Sequence, residues 1–280
     1  MNAKALNPFK SIPSTPESVL STDEINSFLS KDIAFNRIIL YSSLESTNDI
    51  AKAMIQSGTS QGTIILADSQ TKGRGRYNRS FFSPPGHGIY MSIVLRLDQS
   101  YFANHLSLVT LTTAVNICES IEISTKKDPQ IKWVNDIFLD GKKVSGILTE
   151  KVDDRENNPW IIIGIGINFS TPVHAFPIEI RDTAGSIFSN DPPTITRNQL
   201  IAEIINRMFL PCSLEPQIIL SEYKKRLMLK GEETLITGFG NPFKGRIVDV
   251  DEGGCLVVEK ADGQQISLST GEISSSMCLS

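Results

Sequence analysis

From Arg37 onward the spacing of apolar and polar positions changes period often enough to mark elements one at a time. "RIILYSSL" (37–44) and "GTIILAD" (62–68) are short runs rich in Ile and Leu and predict strands. Between them "STNDIAKAMIQSG" (46–58) has the helical period, with Ser46 or Thr47 as N-cap and Gly58 as the stop. "GIYMSIVLRL" (88–97) predicts another strand, and "NHLSLVTLTTAVNICESIE" (104–122) is apolar nearly all round, as a buried helix is. "IKWVNDIFLDGKKVSGILTEKV" (131–152) predicts a strand, a tight turn at Asp140-Gly141 and a second strand. "WIIIGIGINFS" (160–170) predicts a strand buried on both faces. Two helices follow, "TRNQLIAEIINRMF" (196–209), with Thr196 and Gln199 as a capping box, and "EPQIILSEYKKRLM" (215–228).

The character changes at both ends. Past Lys230, short alternating runs separated by Asp251–Gly254 and Asp262-Gly263 predict a small antiparallel barrel or sandwich. Before Arg37, a Pro- and Ser-rich stretch precedes "STDEINSFLS" (21–30), a short amphipathic helix opened by Ser21 or Thr22. The expected organisation is a loosely ordered arm over 1–36, a main domain over 37–230 and a β domain over 231–280. One helix on an arm falls short of a helix-turn-helix unit.

With 280 residues, 40 % of them hydrophobic, the chain can bury a large core. The formal charge of −4 argues against a general nucleic-acid binder. No run reads as a membrane-spanning helix or a secretory leader, and Cys118, Cys212, Cys255 and Cys278 are scattered without zinc spacing. These features predict free thiols and a cytoplasmic protein without membrane or DNA partners.

Against that acidic background "DSQTKGRGRYNRSFFS" (68–83) stands out, with Lys72, Arg74, Arg76 and Arg79 separated by Gly73 and Gly75. Glycines beside Arg74 permit positive φ and close approach to a ligand, and guanidinium groups grip phosphate or carboxylate in bidentate fashion. A solvated basic loop or an unspecific phosphate contact explains the composition equally well. Lys132, Asn135, Asp136 and Lys143 cluster around a hairpin, where a lysine on a rigid strand suits developing negative charge. Hairpin-tip solubility explains Lys142 and Lys143 as well. Gly164 and Gly166 lack the third glycine and the following helix of a dinucleotide fingerprint and mark a close backbone approach instead. His87, His105 and His174 are far apart and suggest no hydrolase triad.

Taken in order, "ESTN" (45–48), "Q-x-x-GRGR" (70–76), "SPPG-x-x-IYMS" (83–92), "KW-x-ND" (132–136), "GKK-x-x-GIL-x-E" (141–150), "IGIGIN" (163–168) and a β domain ending "GEIS" resemble the biotin protein ligases. The resemblance implies an α+β fold. Its parts are a mixed, largely antiparallel sheet with helices on one face, of the class II synthetase-like biotin/lipoate ligase kind, and a small C-terminal SH3-like β-barrel. It implies ATP-dependent formation of biotinyl-5′-adenylate and transfer to a lysine of the carrier domain of a biotin-dependent carboxylase, with Mg²⁺ accompanying ATP. Pairing of the chain into a homodimer through sheet edges stays open.

Position by position, the resemblance makes Ser46, Thr47, Asn48 and Gln70 partners of the biotin ureido ring. Arg74, Gly75 and Arg76 become the loop that closes over biotin and its activated carboxyl, an order-on-ligand lid. Lys143 becomes the essential lysine between carboxylate and α-phosphate. Arg79, Asn135 and Asn168 become nucleotide-site residues, and Asp136 a handler of metal or of the incoming amine. Phe81 stands where the family often has Trp, Val134 where Pro is usual and His87 where a small residue is frequent. A short arm in place of a DNA-binding domain implies a ligase without repressor activity. The rival readings are a lipoate or octanoate transferase of the same fold, a nucleic-acid-binding regulator, and a biotin-binding protein without turnover.

Overall fold

Two long strands set the frame: β3 (Gly88–Arg96) and β7 (Pro159–Asn168) run antiparallel along their whole length, from Gly88 opposite Asn168 to Arg96 opposite Trp160. The structure, a computed structural model, describes residues 19–97, 106–189, 191–209, 215–238 and 240–274. His105, Cys212, Cys278 and the arm over 1–18 lie outside the described residues.

Beside this pair lie β1 (Arg37–Tyr41) and β2 (Thr63–Ala67) on one flank, and β4 (Gln130–Lys132), β5 (Asp136–Leu139) and β6 (Lys142–Asp153) on the other. The seven-stranded order is β1-β2-β3-β7-β6-β5-β4. β1 and β2 pair in parallel, because helix α2 (Thr47–Gln56) carries the chain across between them. The turn between β5 and β6 has the expected backbone, with Asp140 at φ 49° and Gly141 at φ 73°, as a type I′ hairpin requires.

"KWVND" departs from the single strand expected. The strand breaks after Lys132, turns through Trp133–Asn135 and resumes at Asp136, so that Lys132 pairs with Asp136 across a second hairpin. Hydrogen bonds from remote segments fix this turn: Tyr223 Oη donates to Val134 O (3.2 Å) and Trp133 Nε1 to Gly254 O (3.1 Å). Periodicity in the sequence reports only local order and does not register such tethers.

Strand side chains alternate between faces, and the two faces bury different helices. Ile64, Leu66, Met91, Ile93, Ile163 and Ile165 join one core with α3 (Leu106–Thr125), α4 (Arg197–Phe209) and α5 (Pro216–Lys225). Ile65, Val94 and Ile162 point the other way and meet Ala51 and Ile55 of α2. The expected placement of helices on one face is therefore corrected: α2 covers the opposite face. Only one end of that face is covered by α2, and the rest stays open.

Helix α3 also corrects the reading that no segment is long and apolar enough to cross a membrane: its 20 residues are, by length and composition. Leu111, Ala114, Val115, Ile117, Cys118 and Ile121 along it are all at most 1 % exposed, so its apolarity fills the core between sheet and helices. Cys118 and Cys255 are free thiols.

At α4 the capping box forms as expected. Gln199 N donates to Thr196 Oγ1 (3.1 Å) and Thr196 N to Gln199 Oε1 (2.8 Å). Helix α1 (Thr22–Ser27), capped by Ser21 Oγ, docks on this turn through Asn198, whose Nδ2 donates to Glu24 Oε2 (2.7 Å).

The second sheet holds β8 (Glu233–Thr237), β9 (Phe243–Val250), β10 (Leu256–Lys260), β11 (Gln265–Leu268) and β12 (Glu272–Ser274). It is antiparallel, in the order β11-β10-β9-β8-β12. Its buried Ile236, Ile247, Val250 and Leu256 continue the main core. The β9–β10 turn sits on α3, with Ser107 Oγ donating to Gly253 O (2.6 Å). Gly254 suits that turn because its φ of 80° lies in the left-handed region, which side chains rarely adopt.

Candidate functional site

The open half of the α2 face is a trough of about 1100 Å³. The alternation that aims Ile162 at α2 also aims residues 164 and 166 of β7 and 146 of β6 into this trough, and all three are glycine. A Cβ on Gly164 would lie 2.3 Å from Asn48 Oδ1, and one on Gly166 2.7 Å from the Phe81 ring. The glycines expected to mark a close approach therefore do so, by letting α2 and the arginine loop descend onto bare backbone.

One end of the trough is polar. Ser46, Thr47 and Asn48 open α2 and are 2 %, 4 % and 3 % exposed. Ser46 is the N-cap residue, yet its side chain makes no capping bond. Gln70 substitutes, accepting at Oε1 from Thr47 N (2.8 Å) and Thr47 Oγ1 (3.2 Å) and donating from Nε2 to Ser83 Oγ (3.0 Å). The Ser92 hydroxyl lies 2.8 Å from Thr47 Oγ1 and 2.6 Å from Asn48 Oδ1, and Asn48 Nδ2 donates to Glu150 Oε2 (2.7 Å). Sequence reasoning assigned no role to Ser83, Ser92 and Glu150. A serine inside the apolar strand "IYMSIV" was the available signal for Ser92.

The arginine loop lies across the trough. Phe81 N donates to Gly73 O and Gly75 N to Arg79 O, both at 2.8 Å, which folds the loop on itself. Positive φ falls on Tyr77 (55°) and Asn78 (59°), whereas Gly75 is extended at φ −119°, correcting the role expected for its glycines. Gly73 is needed for another reason: a Cβ would meet Phe81 O at 2.4 Å.

Each arginine of the loop reaches a different element. Arg74 forks onto Glu150 of β6 (2.6 and 2.8 Å) and lies 3.3 Å from Asp49 of α2. Arg76 donates to Asn135 Oδ1 (3.0 Å) in the β4–β5 turn. Arg79 pairs with Glu272 of β12 (2.7 Å), and beside it Tyr77 Oη is 3.1 Å from Thr270 Oγ1. Phe81 follows, its ring against Gly166 and Gly146.

At the other end Lys143 and Asp136 meet at 2.7 Å. The register slips by one residue between Ile137 and Phe138, leaving Val144 as a bulge. Val144 turns into the core at 1 % exposure. Lys143, which regular pairing would bury there, is swung to the trough side, where its Nζ lies 3.4 Å from the Cβ position of Gly146. Its backbone is clasped on both sides, Lys143 N donating to Thr183 O (2.8 Å) and Gly185 N to Lys143 O (2.9 Å). Lys142 instead reaches the Asp182 carbonyl.

Asn135 Nδ2 donates to Ile147 O and Asn168 Nδ2 to Gly185 O, each at 2.9 Å. Lys132 lies at the trough wall, 5.7 Å from the Phe138 ring centroid. The trough thus brings together every predicted site residue: Ser46, Thr47, Asn48, Gln70, Arg74, Gly75, Arg76, Arg79, Asn135, Asp136, Lys143 and Asn168. His87 is apart from them, buried with Nδ1 3.2 Å from Ser170 O.

Such a trough offers hydrogen-bond partners for a small planar polar group at one end and lysine and arginine charge for anions at the other. Comparison with known proteins points to one family. Residues 40–168 match the Biotin/lipoate A/B protein ligase family and residues 231–275 the Biotin protein ligase C terminal domain. The bifunctional ligase/repressor BirA of Bacillus subtilis is 31 % identical over 250 residues, 87 % of this chain and 76 % of that protein. The biotin–[acetyl-CoA-carboxylase] ligase of Mycobacterium tuberculosis is 26 % identical over 236 residues, 81 % of this chain and 85 % of that one. A biotin protein ligase of Aquifex aeolicus, solved in complex with biotin and ATP, superposes with a TM-score of 0.71. It shares 26 % identity over 86 % of this chain and 98 % of its own. On its sequence and its relatives, the chain belongs to the biotin protein ligase family.

Proposed function

We propose that the protein joins biotin to a carrier lysine in two steps. The biotin carboxylate attacks the α-phosphate of ATP, giving biotinyl-5′-adenylate and releasing pyrophosphate. The carrier lysine amine then attacks the mixed anhydride, giving an amide and AMP.

The observation that carries this reading is Lys143, swung by a bulge into a glycine-floored trough beneath an arginine loop. A lysine there offsets the mutual repulsion of carboxylate and phosphate as the bond forms. At the polar end, Ser46, Thr47, Asn48 and Gln70 match the one carbonyl and two N–H groups of a ureido ring, since hydroxyl and amide groups both donate and accept. Arg74, Gly75 and Arg76 close over the acyl phosphate and keep water from it. Arg79, Asn135 and Asn168 serve the nucleotide.

Among the described residues no cluster of three His, Cys, Asp or Glu forms a ready metal cage. Mg²⁺ needs only one or two carboxylates besides phosphate oxygens. Asp136 fits that need: its buried Oδ1 makes no hydrogen bond and has only the Lys143 ion pair among the described residues. Mg²⁺ arriving with ATP would supply charge neutralisation, and Asp136 would be its protein ligand.

Biotin-dependent exchange of labelled pyrophosphate into ATP tests the reading without a carrier. Exchange with biotin and not with lipoate or octanoate supports it. Exchange with lipoate or octanoate instead moves the chain to the other substrate class, and silence from folded protein with Mg²⁺ refutes the activation step.

A further inference from the structure

Among the described residues the largest fully buried side chain is an arginine, Arg197, 2 % exposed and outside the trough. A buried guanidinium is unfavourable unless it is paired. Arg197 opens α4, and its Nη1 donates to Asp68 Oδ1 (2.8 Å) and to Gly88 O (2.9 Å). Asp68 Oδ1 also accepts from Gly86 N (3.2 Å). Asp68 follows the last residue of β2 and Gly88 is the first of β3, so the whole arginine loop leaves and returns at this one point. The return stem is further fixed by Tyr90 Oη, which donates to Pro84 O (3.0 Å).

We propose that Arg197 is a positioning residue for the arginine loop, tying with Asp68 the residue where the loop leaves the sheet to those where it returns. An apolar side chain would fill the same space, and often with better stability than a buried ion pair. It would not join a carboxylate, a carbonyl and, through the carboxylate, a backbone N–H at one point. Fixing both stems shortens the free span of the loop and lowers the entropy lost when it closes. Arg197 is itself rigidly mounted, between the capping box of Thr196 and Gln199 and Asn198, which is bonded to α1.

The test uses the full chain and two readouts, of which only the second rests on the ligase reading. The variants are Arg197→Met and Asp68→Asn. The control is Arg226→Met, which removes an arginine that binds Glu122 and Glu222 and touches neither stem of the loop. Tryptic cleavage between Lys72 and Arg79 is timed at equal intervals below the melting temperature of each variant. Arg197→Met is expected to be cut about tenfold faster than the control, since stem fixation sets the local opening of the loop. Asp68→Asn, which keeps an oxygen acceptor, is expected between the two. Cleavage of both variants no faster than the control overturns the proposal, and Asp68→Asn alone carries the comparison should Arg197→Met not fold.

In the second readout, escape of activated biotin is expected to quicken about tenfold while the rate of pyrophosphate exchange falls by less than about threefold. A fall in exchange as large as the rise in escape, from variants whose loops are cut slowly, would mean a general structural defect and also overturns it. Fast loop cleavage in variants of a wild-type chain that performs no exchange would leave the clamp standing and sink the ligase reading instead.

Discussion

Lys143 Nζ reaches Asp136 Oδ1 at 2.7 Å across two strands because Val144, one residue on, is extra in its strand and turns into the core. The pair is a product of register. Lys143→Ala is expected to fold normally and to lower biotin-dependent pyrophosphate exchange by about 10²–10³-fold, the usual effect of losing one preorganised charge-stabilising donor. Wild-type exchange from that variant would remove Lys143 from the chemistry.

The floor glycines give a separate prediction. Gly164→Ala places a methyl 2.3 Å from Asn48 Oδ1 and must displace the Asn48 side chain from its place against β7. The expected result is a KM for biotin raised about tenfold or more with KM for ATP within about twofold, as lost positioning at one end of a bound substrate gives. A uniform change in both would mean that the trough is not divided into two ends.

Arg76 bridges the loop to Asn135. Arg76→Gly is expected to form the adenylate and to release it early, read as labelling of unrelated lysines at least about tenfold above wild type, since closure over the site is what excludes water and bystanders. Retention equal to wild type would assign the loop another task.

Acid sensitivity follows from three carboxylates away from the site. Hydrogen bonds from the Asn158 side chain, then its backbone, Trp160 and Glu156, outweigh slight desolvation and hold Asp154 at about 2. Lys225 and Arg226 hold Glu222 below its ordinary value. Burial raises Asp249, but hydrogen bonds from Lys224, Val250 and Lys230 outweigh it and leave a net lowering. Groups with depressed folded pKa values stabilise the fold fully above their unfolded values and lose that contribution as pH falls through the folded ones. The melting temperature should therefore fall steadily from about pH 5 to about pH 2. Asp249→Asn should flatten part of that slope, and parallel curves for the two proteins would show that Asp249 is not among its causes.

Much of the fold is legible in local pattern. Asp140-Gly141 declares a type I′ turn, and the Thr196 and Gln199 spacing declares a helix start, because each is decided within four residues. The residues gathered in the trough were named from motif order, which stands in for long-range contact. What pattern alone leaves out is decided at a distance. The Val144 bulge needs the strand opposite, the side taken by α2 needs the parity of β2, β3 and β7, and the turn in "KWVND" needs Gly254 and Tyr223. Ser83, Glu150 and Glu272 gain a role only when the sheet places them beside Gln70, Arg74 and Arg79.

The last of those pairings has a temporal side. Arg79 and Glu272 are 193 positions apart, and Trp133 and Gly254 are 121 apart. A ribosome delivers the arginine loop and the "KWVND" turn long before either finds its anchor in the second sheet. Until the second sheet emerges, the arginine loop and the turn lack these two anchors, and the trough is unfinished. Ribosome-bound chains ending near residue 230 are expected to bind biotin weakly and to shed any adenylate they form. Full retention by such chains would show that the second sheet is dispensable to closure.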